Sequence, residues 1–467
     1  MTLKKIFIIV ILTFLNKSYG QNAEMATINT KIESTLNEFN RKYNINSMTP
    51  GYAIGLVTHD TILQYFEGLS DLTSKHRIHS LTKFRMASVS KQFTGAIILT
   101  LIEEKKLAIN DNVITFLPNL NKIYSDVTIE DLIHHVSGIK DYVELFALMG
   151  YPENQLPVPE KVFEIINAQS SLNFIPKTQY SYSNSNYFLL ARIIEKILGE
   201  PLHSIANKRL FNPLKMNNTS FLHEDYDFDS VARGYYFYNA RYHSFNSNDY
   251  VTGDGGLVSN LNDMCIWAKN YLTGSFPIEN FLAKMTRVEK TLDSLTDSYG
   301  YGFYKETIND HSIYKHGGIF CGYTHDIAVV SEKNFALVIL TNSNPKYNVE
   351  ELTYNIISSL TNWNLSKTAS KEKNMAKQNI ISSGNFSVNQ KMNGNWHSNE
   401  IKTKCKIEIE SNTLVNVYFE NNKYEFTPIN KNTIILNDMQ FIYDENKKLM
   451  LLNTTKTKNV IFKKEIK

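Results

Sequence analysis

The spacing of apolar and polar positions divides the chain into regions of different texture. Two short runs, Tyr52–Val57 and Ile62–Glu67, have strand character and flank Thr58-His59-Asp60-Thr61, which predicts a hairpin. From Ser88 to about Leu107 the period lengthens. Phe93, Ala96, Ile97, Thr100 and Leu101 fall at helical spacing, predicting a helix that buries one face. A second helix is predicted over Asn186–Leu198, with Leu189, Leu190, Ile193, Ile194 and Ile197 inward and Gly199 and Pro201 to stop it. Strand character returns at Tyr301–Tyr304, Tyr323–Val330 and Phe335–Leu340. Strands at both ends thus flank a mostly helical and loop-rich middle, roughly 110–290. The predicted fold class is α/β (α+β): one antiparallel sheet made from the two ends, flanked by helices, with a helical lobe inserted.

Near Ser366 the texture changes. Residues 366–385 are rich in Lys, Ser and Asn and read as a linker. Beyond them, short alternating runs at Cys405–Glu410, Leu414–Phe419, Thr433–Leu436 and Met439–Tyr443 predict a small all-β domain over 386–467, a barrel or a sandwich. At the other end, Lys4 and Lys5 precede the apolar run Ile6–Leu15, and Ser18-Tyr19-Gly20 follows. A ten-residue run, apolar but for Thr13, is too short to span a bilayer but suits the core of a secretory signal over 1–20, the alternative being an uncleaved anchor. No Cys follows the run to carry a lipid, and no later stretch is long and apolar enough to span. The expectation is an exported protein, periplasmic or secreted, whose catalytic domain occupies 21–365.

Composition adds limits rather than identity. With 42 % apolar and 20 % charged residues the chain is an ordinary globular one, not a disordered one. Its net charge of +3 falls to zero once Lys4, Lys5 and Lys17 are removed with the signal. The remaining charge is uneven: from Ser366 onward 17 Lys face 10 acids, so residues 21–365 carry −7. That basic excess is spread through a β-rich tail rather than gathered beside an aromatic or helical reader, so a solvated face is expected and no nucleic-acid partner. The three cysteines, Cys265, Cys321 and Cys405, are far apart and form no CxxC, so free thiols are expected.

Three motifs carry candidate chemistry. In Ser88-Val89-Ser90-Lys91 the hydroxyl and the amine lie three residues apart on one helix face, so Lys91 can reach Ser88 without help from distant chain. Opening a helix also aims the Ser88 N–H at a developing oxyanion. Tyr182-Ser183-Asn184 sits just before the second helix, where a phenol and an amide can be held rigidly. His316-Gly317-Gly318 ends a short predicted strand, Ser312–Lys315. Its glycines let backbone pass close to a ligand, and the next N–H, from Ile319, is placed to complete an oxyanion hole.

In this order and spacing the three motifs resemble the serine β-lactamase and penicillin-binding superfamily. The closer resemblance is to the class C β-lactamase-like serine hydrolases, which include D-Ala-D-Ala carboxypeptidases, D-aminopeptidases and esterases. It spans roughly Gly51–Leu360 and includes Phe84–Phe93, Val127–Tyr142, Tyr180–Tyr187, Gly253–Trp267 and His316–Tyr323. The resemblance implies Ser88 as nucleophile, with Lys91 and Tyr182 sharing the work of base and acid. Asn184 would orient Lys91 and the substrate amide, His316 would line the opposite wall, and Ser88 and Ile319 would supply oxyanion N–H groups beside Gly318. His135-Val136-Ser137-Gly138, a hallmark of the family, is expected to be a turn beneath the site. The tail resembles the lipocalin-like domains that follow some of these hydrolases, with Asn393–Ser398 as its opening strand. No cofactor or metal is implied, and the expected partner is a small-molecule or peptide substrate.

Base duty near pH 7 requires Lys91 or Tyr182 to titrate about three units below its free value. Burial supplies the right sign for Lys91, and a neighbouring ammonium supplies it for Tyr182. The third motif departs from the Lys-Thr-Gly of most class C β-lactamases. Lys315-His316-Gly317 is the other way to align it, but the His316 register keeps Gly322-Tyr323 at the family's later Gly-aromatic position. Without that Lys and Thr the grip on a substrate carboxylate weakens, and preference should drift from penicillins to esters, amides or D-amino-acid peptides. Rival chemistries lack their residues. There is no H-E-x-x-H, and His76, His79, His134 and His135 lack partners at ligand spacing. No G-x-S-x-G elbow occurs either. The remaining alternative is a penicillin-binding sensor of the same fold that does not turn over.

Overall fold

The computed structural model describes residues 25–465 apart from 152–154, 156–157, 246, 248–249, 289–298, 345, 366–385 and 420–421. The expected signal and linker therefore lie outside the described residues. At the centre is a six-stranded sheet, antiparallel throughout, in the order Tyr304–Ile308, His311–Phe320, Tyr323–Val330, Phe335–Thr341, Tyr52–Thr58, Ile62–Glu67. Tyr52 pairs with Thr341 and, on its other side, with Glu67. The sheet is thus assembled from the two ends of the domain, as the pattern of strands predicts.

Strand alternation splits the core in two. Ala53, Val57, Ala336, Val338 and Leu340 face the helical lobe, where Phe93, Trp267 and Phe188 are buried with them. Ile54, Leu56, Leu337 and Ile339 face the other way. There they are covered by the helix Val349–Thr361 and by a helix over 25–43 whose Ile32, Leu36 and Phe39 are buried. That first helix is not among the predicted elements.

Other boundaries differ for local reasons. The Ser88 segment is a 3-10 turn, Ala87–Val89, running into an α-helix, Ser90–Glu103. The helix stops before Leu107, and Lys105 has φ +56°. The second helix starts two residues early, at Asn184, and Gly199 at φ +71° ends it where expected. Tyr301–Tyr304 is not a strand: the strand begins at Tyr304, and Tyr299 bridges to it across a turn. The third-motif strand runs over His311–Phe320 rather than ending at Lys315, so His316-Gly317-Gly318 lies within it. The helical middle also holds short strands, among them Gly234–Tyr238 paired with Arg241–Phe245.

The tail closes into an eight-stranded barrel, so of the two predicted forms the barrel is the one adopted. Its strands alternate, with Trp396, Ile407, Val417, Phe426, Phe441, Met450 and Phe462 buried inside. The barrel is docked on the helical lobe through Glu400, which is 3.7 Å from the fully buried Lys140 ammonium. Glu400 also accepts from the Ser170 N–H at 3.0 Å and hydroxyl, and from the Ile461 N–H at 3.1 Å. The three cysteines are free and buried, as expected. No helix among the described residues is long and apolar enough to cross a membrane.

Removing one partner of a buried pair leaves the other uncompensated, at a cost of about 3 kcal/mol, whereas an apolar replacement of both is close to neutral. Glu400→Ala should therefore lower the thermal midpoint clearly more than the double change Lys140→Met with Glu400→Leu, measured by differential scanning calorimetry.

Candidate active site

The site forms where the 3-10 turn at Ser88, the start of the Asn184–Leu198 helix and the third-motif strand meet. Ala87, just ahead of Ser88, has φ +48°. A non-glycine residue there carries about 1–2 kcal/mol of backbone strain, which the surrounding packing must hold. The holding contact comes from Gly318: a Cβ at that position would stand 2.5 Å from Met86 O and 3.4 Å from Ser88 N. Only glycine lets the strand approach the turn this closely.

Ser88 is half-buried and its hydroxyl meets both expected partners. Lys91 Nζ lies 3.2 Å from Ser88 Oγ, and the Tyr182 phenol donates to the same oxygen at 3.0 Å. Lys91 is wholly buried, and its Nζ also donates to Asn184 Oδ1 at 2.8 Å and to the backbone carbonyl of Asp254 at 2.6 Å. In the neutral amine these two carbonyl-type acceptors take both N–H bonds and leave the lone pair facing Ser88. Asn184 is itself oriented by Asp141, whose Oδ2 accepts from the Asn184 N–H at 2.6 Å and from Nδ2 at 2.9 Å. The amide oxygen is thereby turned toward Lys91.

Burial, opposed by the charges of Asp254 and Asp141, brings Lys91 down to about 8. At pH 7 roughly one Lys91 in ten is then neutral, against about one in several thousand for a free lysine. For Tyr182 the expectation is reversed. Burial, Tyr304 and the charges of Asp254 and Asp141 outweigh the Ser88 hydrogen bond, and its phenol is pushed well above its usual value. Tyr182 is thus a protonated donor in the resting site, and Lys91 is the group close to base duty.

His316 is buried opposite, and burial with the nearby Lys91 pushes it down to about 3, so it is neutral. Its Nδ1 faces Gly317 O at 2.6 Å, which requires a proton there, and Nε2 therefore accepts from the Tyr299 hydroxyl at 2.8 Å. The alternative register is excluded by strand alternation. Lys315 points to the far face of the sheet, where it pairs with Asp326 at 3.1 Å and Glu350 at 3.4 Å. Pairing with Tyr304–Ile308 stops at Lys315, and among the described residues no strand pairs with the edge from His316 to Phe320 on that side. Ile319, 63 % exposed, lies on this stretch.

His135-Val136-Ser137-Gly138 does lie beneath the site: the His135 ring is 4.4 Å from that of Tyr182, and its Nδ1 accepts from the Ser183 N–H at 3.2 Å. Several members of the site have no sequence signal of their own. Asp141 and Asp254 fall inside the matched segments but belong to no motif. Tyr299 and Tyr304, the latter stacked on Tyr182 at 6.4 Å and 14°, are two among 27 tyrosines. Lys456, 5.4 Å from the Tyr182 ring centre, comes from the barrel. A cavity of about 750 Å³ between Ser70–Thr82 and Phe228–Arg233 contains none of these groups.

The chain has relatives in sequence and in fold. The chain is 26 % identical over 318 residues to a D-aminopeptidase of Brucella canis, covering 66 % of this chain and 59 % of that protein. It therefore spans about three-fifths of that relative's length. In fold it is similar to an octameric penicillin-binding protein homologue from Pyrococcus abyssi, with a TM-score of 0.64, 22 % identity and coverage of 93 % and 99 % of the two chains. A D-amino acid amidase from Ochrobactrum anthropi follows at TM-score 0.61 and 20 % identity, covering 72 % of this chain and 99 % of that one. The sequence profile described as Beta-lactamase matches residues 36–359, well over half of the chain, and the protein belongs to the beta-lactamase family.

Proposed function

We propose that this protein is an exported serine hydrolase that passes through an acyl-enzyme on Ser88, and that it cleaves an ester, an amide or a D-amino-acid-containing peptide. The observation that carries the reading is the convergence of Lys91 Nζ and Tyr182 OH on Ser88 Oγ, at 3.2 and 3.0 Å, from two separate segments of the chain. The D-aminopeptidase and D-amino acid amidase among its relatives favour the D-amino-acid arm. Export to the periplasm or out of the cell is part of this proposal, and the apolar run after Lys4 and Lys5, which suits a secretory signal, supports it.

In the proposed reaction neutral Lys91 takes the Ser88 proton as Oγ bonds to the substrate carbonyl carbon. The N–H groups of Ser88 and Ile319 hold the resulting oxyanion. As the bond to the leaving group breaks, Tyr182 gives that group its proton and is reprotonated by Lys91. Water then attacks the ester at Ser88 by the same relay, releasing the acid. His316 is neutral, so the third-motif wall offers no cation for the carboxylate of a penicillin.

Four outcomes are expected. A fluorophosphonate probe labels Ser88, and Ser88→Ala loses labelling and turnover, read by gel fluorescence and a p-nitrophenyl ester assay. Stable labelling without turnover would instead identify a sensor. Because the working base is the neutral amine, kcat/KM rises with pH through an apparent value near 8 and levels off above it, and a profile flat from pH 6 to 9 would remove Lys91 from the role. Tyr182→Phe lowers kcat about 100-fold or more while the protein stays folded. Nitrocefin is turned over far more slowly than the best ester or D-amino-acid anilide.

A further inference from the structure

The segment between the last two barrel strands, Leu449–Asn453 and Val460–Lys464, leaves the barrel and reaches the catalytic cleft. Two side chains of the helical lobe fix its backbone. Glu144 Oε2 accepts from the Lys456 N–H at 3.1 Å and from the Thr454 hydroxyl. Asn173 closes the other side, its Nδ2 donating to Lys456 O at 2.8 Å and its Oδ1 accepting from the Lys458 N–H at 2.6 Å. The main chain on both sides of Lys456 is therefore held against the catalytic domain, and the side chain extends over the ring of Tyr182, with Nζ 5.4 Å from its centre.

That ammonium has no hydrogen bond or ion pair with any described residue. The Glu144 carboxylate, which feels this charge, is occupied by the Lys456 N–H and by the Thr454 hydroxyl. It also stands beside other basic groups, and its charge acts against protonation of both Lys91 and His135. An unpaired cation held in such company, at the mouth of a cleft, is a standing site for an anion. The third motif has meanwhile lost the lysine that would serve this purpose, Lys315 being turned to the far face of the sheet.

We propose that Lys456, supplied by the barrel, recognises a carboxylate on the Tyr182 side of the cleft, away from the third-motif wall, so that among open-chain esters and peptides those with a negative charge near the scissile bond on that side bind best. This rests on Ser88 being the reacting group only for the term "scissile"; the anion site itself is independent of turnover.

The test separates the two. In the full-length Ser88→Ala protein, calorimetric titration compares acetyl-D-alanyl-D-alanine with its C-terminal amide, which differs only in charge. The acid should bind at least tenfold tighter, Lys456→Gln should erase the difference, and Lys456→Arg should retain most of it. An unchanged thermal midpoint shows that Lys456→Gln is folded. Equal affinities with Lys456 present, including undetectable binding of both, or a preference that survives Lys456→Gln, would overturn the assignment. Fluorophosphonate labelling of Ser88 in the otherwise natural chain reports on the catalytic reading alone. Labelling without charge discrimination sinks only the Lys456 proposal, and discrimination without labelling sinks only the nucleophile.

Discussion

Everything in the cleft is arranged around one buried amine. Lys91 is fully enclosed, and a charged lysine in that position would be costly without acceptors. The carbonyls of Asn184 and Asp254 supply them, and the Ser88 hydroxyl takes the remaining direction. This constraint explains neighbours that look remote from the chemistry. Asp141 fixes the flip of the Asn184 amide, and Tyr142 donates to Asp254 Oδ2 at 2.8 Å. The same burial that lowers the amine raises the adjacent phenol, so a single environment pushes two neighbouring side chains in opposite directions.

The sheet supplies the geometry that the motifs cannot supply alone. Ser88 and Lys91 are local neighbours, but Tyr182 and His316 come from distant segments. They meet because the third-motif strand lies against the strained turn at Ala87, with Gly318 as the point of approach. His316 and Lys315 then go to opposite faces by simple alternation, one into the cleft and one onto Asp326. The neutral imidazole and its tyrosine partner replace what would have been a charged wall.

Much of this was legible in the residues themselves. The hairpin, the strands at Tyr323–Val330 and Phe335–Leu340 and the two site helices were visible as strand-like runs or as period 3.6. Ser88 with Lys91, and Tyr182 with Asn184, were visible as short spacings beside them. What was not legible has a common cause. The helix over 25–43 is the exception, since its buried Ile32, Leu36 and Phe39 do recur at helical spacing, and only the sheet face that covers them is formed elsewhere. The downward shift expected for Tyr182 failed because enclosure by aromatic neighbours, a tertiary property, outweighs a nearby cation. Tyr299 and Lys456 carry no local signature, since a tyrosine or a lysine in a turn becomes notable only when chain from far away packs against it.

The way the central sheet is sewn together also constrains how the molecule comes into being. Tyr52 has Thr341 for a neighbour, and the helical lobe lies in between along the chain. Such a long closure is slow, and it cannot begin until the later strand has emerged. Ser88 and Lys91 are made early, but the strand that shapes the space above them arrives last. The site is therefore completed late in synthesis, and a chain interrupted anywhere before that strand carries Ser88 and Lys91 without their opposite wall.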